Sequence, residues 1–316
     1  MILAVTLNAA VDVTYHLDQV HRHGSNRVHE VAQRAGGKGI NVARVLTALG
    51  HDTVITGLAG GASGEAVRTD LAASGLRDEL MAIEGQTRRT IAVVEDQDGD
   101  TTMYLEPGPT ITLAEWSRFL ARYEELLSDA AAVVLSGSLP LGLPQNAYGL
   151  LVALATSRRV PAILDADGDA LRAGLSAGPA LVKPNAHELA TATATVDPLA
   201  GAQALRAAGA HAVVASLGPG GLLATTPEGS WQARPPGKAR GNPTGAGDSV
   251  VAALAAGLVE ATSWPERLTH AVALSAATVL APLAGSFDPA DYHRLLPLVR
   301  VESLNPTSPQ GESCPS

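Results

Sequence analysis

Gly241-Asn-Pro-Thr-Gly-Ala-Gly-Asp-Ser249 runs directly into Val250-Val-Ala-Ala-Leu-Ala-Ala-Gly-Leu-Val259. The second stretch is rich in helix-permitting apolar residues, so a glycine turn leads straight onto the first turn of a buried helix. Gly245 and Gly247 leave the main chain without Cβ atoms, and the amides around Ala246 can converge on an anion at the positive end of the helix dipole. Such a turn cradles a phosphoryl group whose charge rises during transfer, with Asp248 placed to take a proton from an attacking hydroxyl. An ordinary loop with Asp248 as its N-cap is the competing reading of the same residues.

Outward from that junction the chain alternates strand and helix. Ile2 to Leu7 is a short continuous apolar run of the kind found in a buried parallel strand, and the segments 53–58, 79–83, 131–136, 161–165, 181–183 and 212–216 continue the series. Helical spacing falls between them, clearest at Leu113 to Leu127, and three more helices are expected at 248–260, 264–280 and 290–299. Repeated units of this kind imply an α/β fold with a mostly parallel central sheet, covered by helices on both faces, whose ligands gather at the carboxyl ends of the strands. Those ends carry Asn8, Gly36, Gly57, Ser136, Asp165, Lys183 and Ser216. Four other segments, 11–17, 27–34, 90–96 and 101–106, alternate apolar with polar residues and read as half-exposed strands. With a hairpin signature at Asp98-Gly99 they form one small sheet outside the main body, a lid.

Composition bounds the function. The 316 residues are 46% hydrophobic and 17% charged, enough for a sizeable core, and no composition break marks a linker between independent domains. A net charge of −9 repels nucleic acid and anionic membrane surfaces, so phosphorylated ligands need a local basic pocket. No apolar run reaches the roughly 18 residues of a membrane span. The single cysteine, Cys314, lies in a Pro/Ser-rich tail, which excludes an internal disulfide and makes a reducing cytoplasm the expected home.

Four further stretches bear on chemistry. Ala35-Gly-Gly-Lys-Gly-Ile-Asn41 is no P-loop, because Gly39 follows the lysine, and no stretch forms the dinucleotide fingerprint. Its glycines hold a hydroxyl-bearing ligand against bare backbone or simply allow tight helix–sheet packing. In Lys183-Pro-Asn-Ala-His-Glu188 the oxygens of Asn185 and Glu188 share one side of a helical turn; they suit hydrated Mg²⁺, and equally a capping box. Ser216-Leu-Gly-Pro-Gly-Gly221 can approach a nucleotide closely or form a plain hairpin turn. Arg27, Arg88 and Arg89 fall on the lid strands, where they grip a substrate phosphate or meet solvent; neighbouring strand residues face opposite ways, so only one of Arg88 and Arg89 reaches inward. The histidines show no metal-ligand spacing.

Taken together, Gly36-Gly-Lys-Gly-Ile-Asn41, Lys183-Pro-Asn-x-x-Glu188, Ser216-Leu-Gly-x-x-Gly221 and Gly245-Ala-Gly-Asp248 resemble, in order and context, the motifs of the ribokinase-like (PfkB) carbohydrate kinases. Thr6-Leu-Asn-Ala-Ala-Val-Asp12, Thr87-Arg88, Glu106-Pro-Gly-Pro109 and Ser136-Gly-Ser-Leu-Pro140 are similar to the 1-phosphofructokinase and tagatose-6-phosphate kinase branch. Two stretches depart from many 1-phosphofructokinases: Thr87-Arg-Arg-Thr90, and Asn242-Pro-Thr, which looks more like the tagatose-6-phosphate enzymes. The resemblance implies a ribokinase-like three-layer fold over residues 1–302, with lid strands within 11–35 and 87–109 and a flexible tail at 303–316. It implies ATP- and Mg²⁺-dependent phosphorylation of a ketohexose monophosphate, tagatose 6-phosphate or fructose 1-phosphate. Asp248 would be the base over an anion hole of Gly245, Ala246 and Gly247. Asp12, Gly37, Lys38 and Asn41 would bind sugar hydroxyls, and Arg27 and Arg88 the existing phosphate. Lys183, Asn185, Ser216, Gly218 and Gly221 would serve the nucleotide, with Glu188 and Asn185 holding Mg²⁺ through water. A homodimer through the lid is a further expectation. The alternatives are a kinase of fructose 6-phosphate, of an unphosphorylated sugar or of a nucleoside, and a non-catalytic sugar-phosphate sensor.

Overall fold

The computed structural model describes residues 1–97, 100–237, 241–281, 283 and 285–304. The chain opens with β1 (Ile2–Thr6), β2 (Ala10–Leu17), β3 (Glu30–Gly36), α1 (Lys38–Ala48), β4 (Thr53–Gly60), α2 (Gly61–Ala73) and β5 (Arg77–Ile83). It continues through β6 (Arg88–Glu95), β7 (Thr101–Leu105), α3 (Leu113–Leu127), β8 (Ala132–Ser136), α4 (Ala147–Ser157), β9 (Ala162–Asp165), α5 (Gly168–Leu175) and β10 (Leu181–Val182). Then follow α6 (Ala186–Thr193), α7 (Pro198–Ala207), β11 (Ala212–Ser216), β12 (Leu222–Thr226), β13 (Gly229–Arg234), α8 (Ala246–Val259), α9 (Trp264–Leu280), α10 (Pro289–Leu295) and β14 (Arg300–Ser303).

Ten strands form the main sheet in the order β14-β13-β12-β11-β10-β9-β8-β1-β4-β5. From β11 to β5 every pairing is parallel, and β12, β13 and β14 add an antiparallel edge. Continuous apolar runs suit the parallel strands because both faces are covered. Leu3, Val5, Val133 and Leu135 pack into the layer that holds Phe119 of α3 and Leu151 of α4. Their neighbours Ile2 and Val134 turn to the opposite layer, with α8 and α9. The result is helix, sheet, helix, as the alternating units predicted.

The lid is a separate four-stranded sheet, β3-β2-β6-β7. Val11 and Val13 on one face of β2 pack with Ala43 of α1 and Val67 of α2, which fixes the lid base on the body. β6 and β7 are antiparallel as the hairpin pattern required, while Asp98-Gly99 itself lies outside the described residues.

Local signals set the helices that matter. α3 begins with a capping box in which Thr112 and Glu115 satisfy each other's backbone amides, and its boundaries coincide with those expected. α8 is apolar on all sides because it lies between the sheet, α1 and α9; Ser249 Oγ meets Thr278 Oγ1 at 2.6 Å and ties it to α9.

Two expectations need correction. The last third is not purely helical, since β13 and β14 close the sheet edge; Leu304 N donates to Ser230 O at 2.8 Å, so order extends into the expected tail, of which residues 305–316 lie outside the described residues. These short edge strands expose Arg300 and Glu302 and lack a strong apolar pattern, so only their partners define them. Second, Arg27 is not on a strand. It lies in an exposed segment ahead of β3, whose course is set by Asn26 bonding to His21 and by His29 pairing with Asp96 at 3.0 Å. No helix among the described residues is long and apolar enough to cross a membrane.

Candidate active site

The carboxyl ends of β1, β8, β9 and β10 and the amino ends of α1 and α8 meet on one side of the sheet. α8 starts at Ala246 behind an N-cap, Gly245, whose φ of 82° is left-handed and which offers no side chain to cap the helix. Ala246 N donates to Pro243 O, while the amides of Gly247 and Asp248 belong to the first turn, which has no intrahelical acceptors. Lys183 Nζ stands 3.7 Å from the place a Cβ on Gly247 would occupy. An anion at this turn therefore meets main-chain donors and an ammonium together.

Asp248 is buried, with 6% of its surface exposed. Asn41, one turn into α1, donates through Nδ2 to Asp248 Oδ2 at 2.8 Å. Burial, reinforced by the charge of Asp165, pushes the Asp248 carboxyl up to about 7, against the opposing effects of Asn41, Lys38 and Lys183. That value matches a group that must accept a proton near neutral pH.

Asp165, at the end of β9, is the residue sequence reasoning undervalued. It is 1% exposed, lies 3.4 Å from Lys38 Nζ and 3.3 Å from Lys183 Nζ, and both its oxygens lack hydrogen-bond donors. It bridges the lysine of α1 to the lysine after β10. Burial works against the charge of Lys38, yet Asp165, Asp248 and Glu188 hold its ammonium above the ordinary lysine range. Its position at a strand end was the available signal.

Beside this network lies a cavity of about 200 Å³, lined by Asn8, Lys38, Arg88, Leu105, Ser138 and Asp167 among others. Arg88 reaches inward: its Nε donates to Asn8 O at 3.2 Å, and burial lowers its pKa against the pull of Asp12 and Glu106. Arg89 turns to solvent, where Glu106 holds its guanidinium at 2.6 and 2.9 Å. Asp12 shares the face of Arg88's neighbour Thr90, and burial raises its carboxyl pKa although Thr90, Arg88, Arg34 and Arg44 oppose this. A Cβ on Gly36 would fall 2.1 Å from Asp12 Cγ, and one on Gly37, where φ is 112°, 2.8 Å from Thr6 Oγ1. Bare backbone is what lets this carboxylate sit here.

A scan of family models matches residues 5–291 to the pfkB family carbohydrate kinases. The chain belongs to the PfkB family of carbohydrate kinases. Its fold is similar to that of phosphofructokinase-2 from Escherichia coli in complex with fructose-6-phosphate, at 30% identity and a TM-score of 0.86 over 94% of this chain and 98% of that one. The tetrameric inhibited form of the same enzyme gives 30% identity and 0.87 over the same shares. A Thermotoga maritima protein described as a "possible 1-phosphofructokinase" gives 25% and 0.88, over 96% of this chain and 99% of that one.

The remaining PfkB motifs divide. Asn185 and Glu188 do form the capping box, Asn185 Oδ1 accepting from Glu188 N at 2.9 Å and Glu188 Oε2 from Asn185 N at 2.8 Å. Ser216 pairs with that segment through its amide to Pro184 O. The turn after it is a hairpin into β12, and Gly221 is required there because a Cβ would lie 2.0 Å from Ala233 O. Gly218, with φ of 56°, has open space around it. Gly39 packs against Val5 O, so its role is tight helix–sheet contact. Arg27 makes no hydrogen bond or ion pair among the described residues, and the structure does not bring it to the cavity. No group of three His, Cys, Asp or Glu side chains among the described residues forms a ready metal cage.

Proposed function

We propose that this PfkB kinase transfers the γ-phosphoryl group of ATP to a hydroxyl of a ketohexose monophosphate, tagatose 6-phosphate or fructose 1-phosphate, giving the bisphosphate. The observation that carries the reading is Asp248, buried at the open end of α8 with one oxygen held by Asn41 and the other left for an acceptor. As the acceptor oxygen forms its bond to the γ-phosphorus, its proton passes to Asp248 and the bond to the β-phosphate oxygen breaks, leaving ADP. The Gly245–Gly247 turn and Lys183 face the charge that develops, and Lys38 neutralises the approach from the sugar side. Asp12, Gly37, Lys38 and Asn41 hold the sugar, Arg88 its phosphate, and Ser216, Gly218 and Gly221 border the nucleotide.

Mg²⁺ fits the donor set. It is a hard cation that keeps most of its waters, and the hydrogen-bond-free oxygens of Asp165 with the half-exposed Glu188 supply hard oxygen donors. Asn185 is engaged in the cap, so Glu188 and Asp165 are the better candidates. When bound, the ion supplies charge neutralisation on the donor phosphates.

The likeness to a fructose-6-phosphate complex favours a second reading, a fructose 6-phosphate kinase of the same chemistry. An ADP-release assay over fructose 1-phosphate, fructose 6-phosphate, tagatose 6-phosphate and fructose separates these, and no turnover with any phosphorylated sugar would overturn both. Arg88→Ala should raise KM for the phosphosugar well above tenfold and leave KM for ATP nearly unchanged, whereas Arg89→Ala should alter neither. Equal effects from the two variants would remove the phosphate role from Arg88.

The lid carries exposed Val31, Met103, Tyr104 and Leu105, an apolar surface that a second copy of the chain would cover. A lid-to-lid homodimer follows, and Arg27 reaches a substrate phosphate only by lid movement or from such a copy. Its substrates place the enzyme in the cytoplasm.

A further inference from the structure

The larger cavity of the molecule, about 320 Å³, is not at the substrate site. It opens between the C-terminal ends of α1 and α8 and the flanks of α9 and α10, and its volume reaches the roughly 300 Å³ at which small-molecule pockets begin. Its polar lining is unusual for an acidic protein. His51 follows α1, Arg267 and His270 come from α9, Tyr292 and His293 from α10, and Glu260, at the end of α8, is the one carboxylate among the described lining residues. Glu260 is already met by His51 Nε2 at 3.4 Å.

Arg267 is the centre of this wall. It is 7% exposed, lies over the Trp264 ring at 4.5 Å, and donates through one terminal nitrogen to Gly257 O and Thr262 O. Its Nε is buried without a hydrogen-bond partner. Burial lowers its pKa, and Glu228 opposes this only through its charge. The carbonyls at both helix ends are already answered, by Gly50 and His51 on α1 and by Thr262 and Arg267 on α8. What faces the cavity is therefore an excess of donors over acceptors. The opposite wall, Ala253, Ala256 and Phe287, is apolar.

We propose that this cavity is a second binding site, for a compact organic anion bearing a phosphate or carboxylate group, held by Arg267 and the imidazoles of His51, His270 and His293. The site lies at the far ends of the two helices that begin with Lys38 and Asn41 and with Asp248. Helices of 11 and 14 residues span about 17 and 21 Å and move as rods, so an occupant wedged between their C-terminal ends shifts the seat of the catalytic end. Binding itself is independent of the sugar-kinase assignment; only the coupling rests on it.

Calorimetric titration with inorganic phosphate and with citrate, without nucleotide or divalent metal, tests the site. Saturable binding should persist in Arg88→Ala, which disables the substrate cavity. It should weaken at least about tenfold in Ala256→Leu, which fills the apolar wall, and in His293→Glu, which reverses charge on an exposed helix face. Unchanged kcat in the absence of the probes shows that these two variants are folded, and should Ala256→Leu not fold, His293→Glu decides alone. Loss of binding in Arg88→Ala with none in His293→Glu would assign the anion to the substrate cavity and overturn the proposal, as would the absence of saturable binding for both probes.

Discussion

At the scale of single residues the protein turns on carboxylates kept out of water. Asp248→Asn should retain nucleotide binding and lose roughly 10²- to 10⁴-fold in kcat, read in a steady-state ADP-release assay; a near-normal kcat would dismiss it as the base. Its elevated pKa also has a sign. The folded carboxyl holds its proton up to about 7 where the unfolded chain releases it near 3.8, so this stabilisation is full below pH 3.8 and is lost as pH rises through about 7. Activity runs the other way, with the acid limb of kcat/KM falling below pH about 7. Asp165→Asn removes a neighbouring negative charge, so the residual activity should show that limb moved to lower pH; an unmoved limb would separate the two groups. Sequence adjacency could propose Asp248, but not its contact with Asn41, 207 positions away, or the way Asp165 joins two lysines. For Arg88 and Arg89 the strand period said that one faces inward, and the pairing of β6 with β2 shows that it is Arg88.

At the scale of elements, one motif carries two duties. The Asn185–Glu188 capping box starts α6 immediately after Lys183, so the cap also fixes the lysine's point of departure. Asn185→Ala should lower stability by about 1 kcal/mol, seen in urea unfolding. Glu188→Gln keeps the reciprocal bond, since glutamine serves in a capping box, so it should leave unfolding nearly unchanged while raising the Mg²⁺ concentration needed for half-maximal rate several-fold. A variant that lost stability without any change in Mg²⁺ requirement would leave Glu188 a structural residue alone. The two readings of this stretch in the sequence are compatible because one carboxylate oxygen accepts from the backbone and the other is not engaged in the cap. Helices with caps and strong periodicity, α3 and α9, had legible boundaries. The edge strands β13 and β14 did not, since their half-exposed residues gain meaning only from the partner alongside.

At the scale of the whole molecule, the lid is what one chain leaves unfinished. β7 is exposed along its length, and Met103 and Leu105 share a face that nothing in the chain covers. Light scattering on the purified protein should give twice the chain mass, and Met103→Asp should halve it and weaken phosphosugar binding. A wild-type monomer with full activity would remove the lid-to-lid dimer.

The sequence by itself determined the class of fold and the local parts of the site. Buried runs, periodic helices, capping residues and glycine turns are short-range consequences of side-chain shape and solvation, readable within a few residues. Only the tertiary structure decided which of these parts meet: Arg88 over Asn8, Asn41 on Asp248, Asp165 between Lys38 and Lys183, and Arg27 outside the group altogether. Those pairings depend on strand register and on the order of strands in the sheet, and the burial that raises the Asp248 carboxyl exists only once α1, α8 and β9 have closed around it.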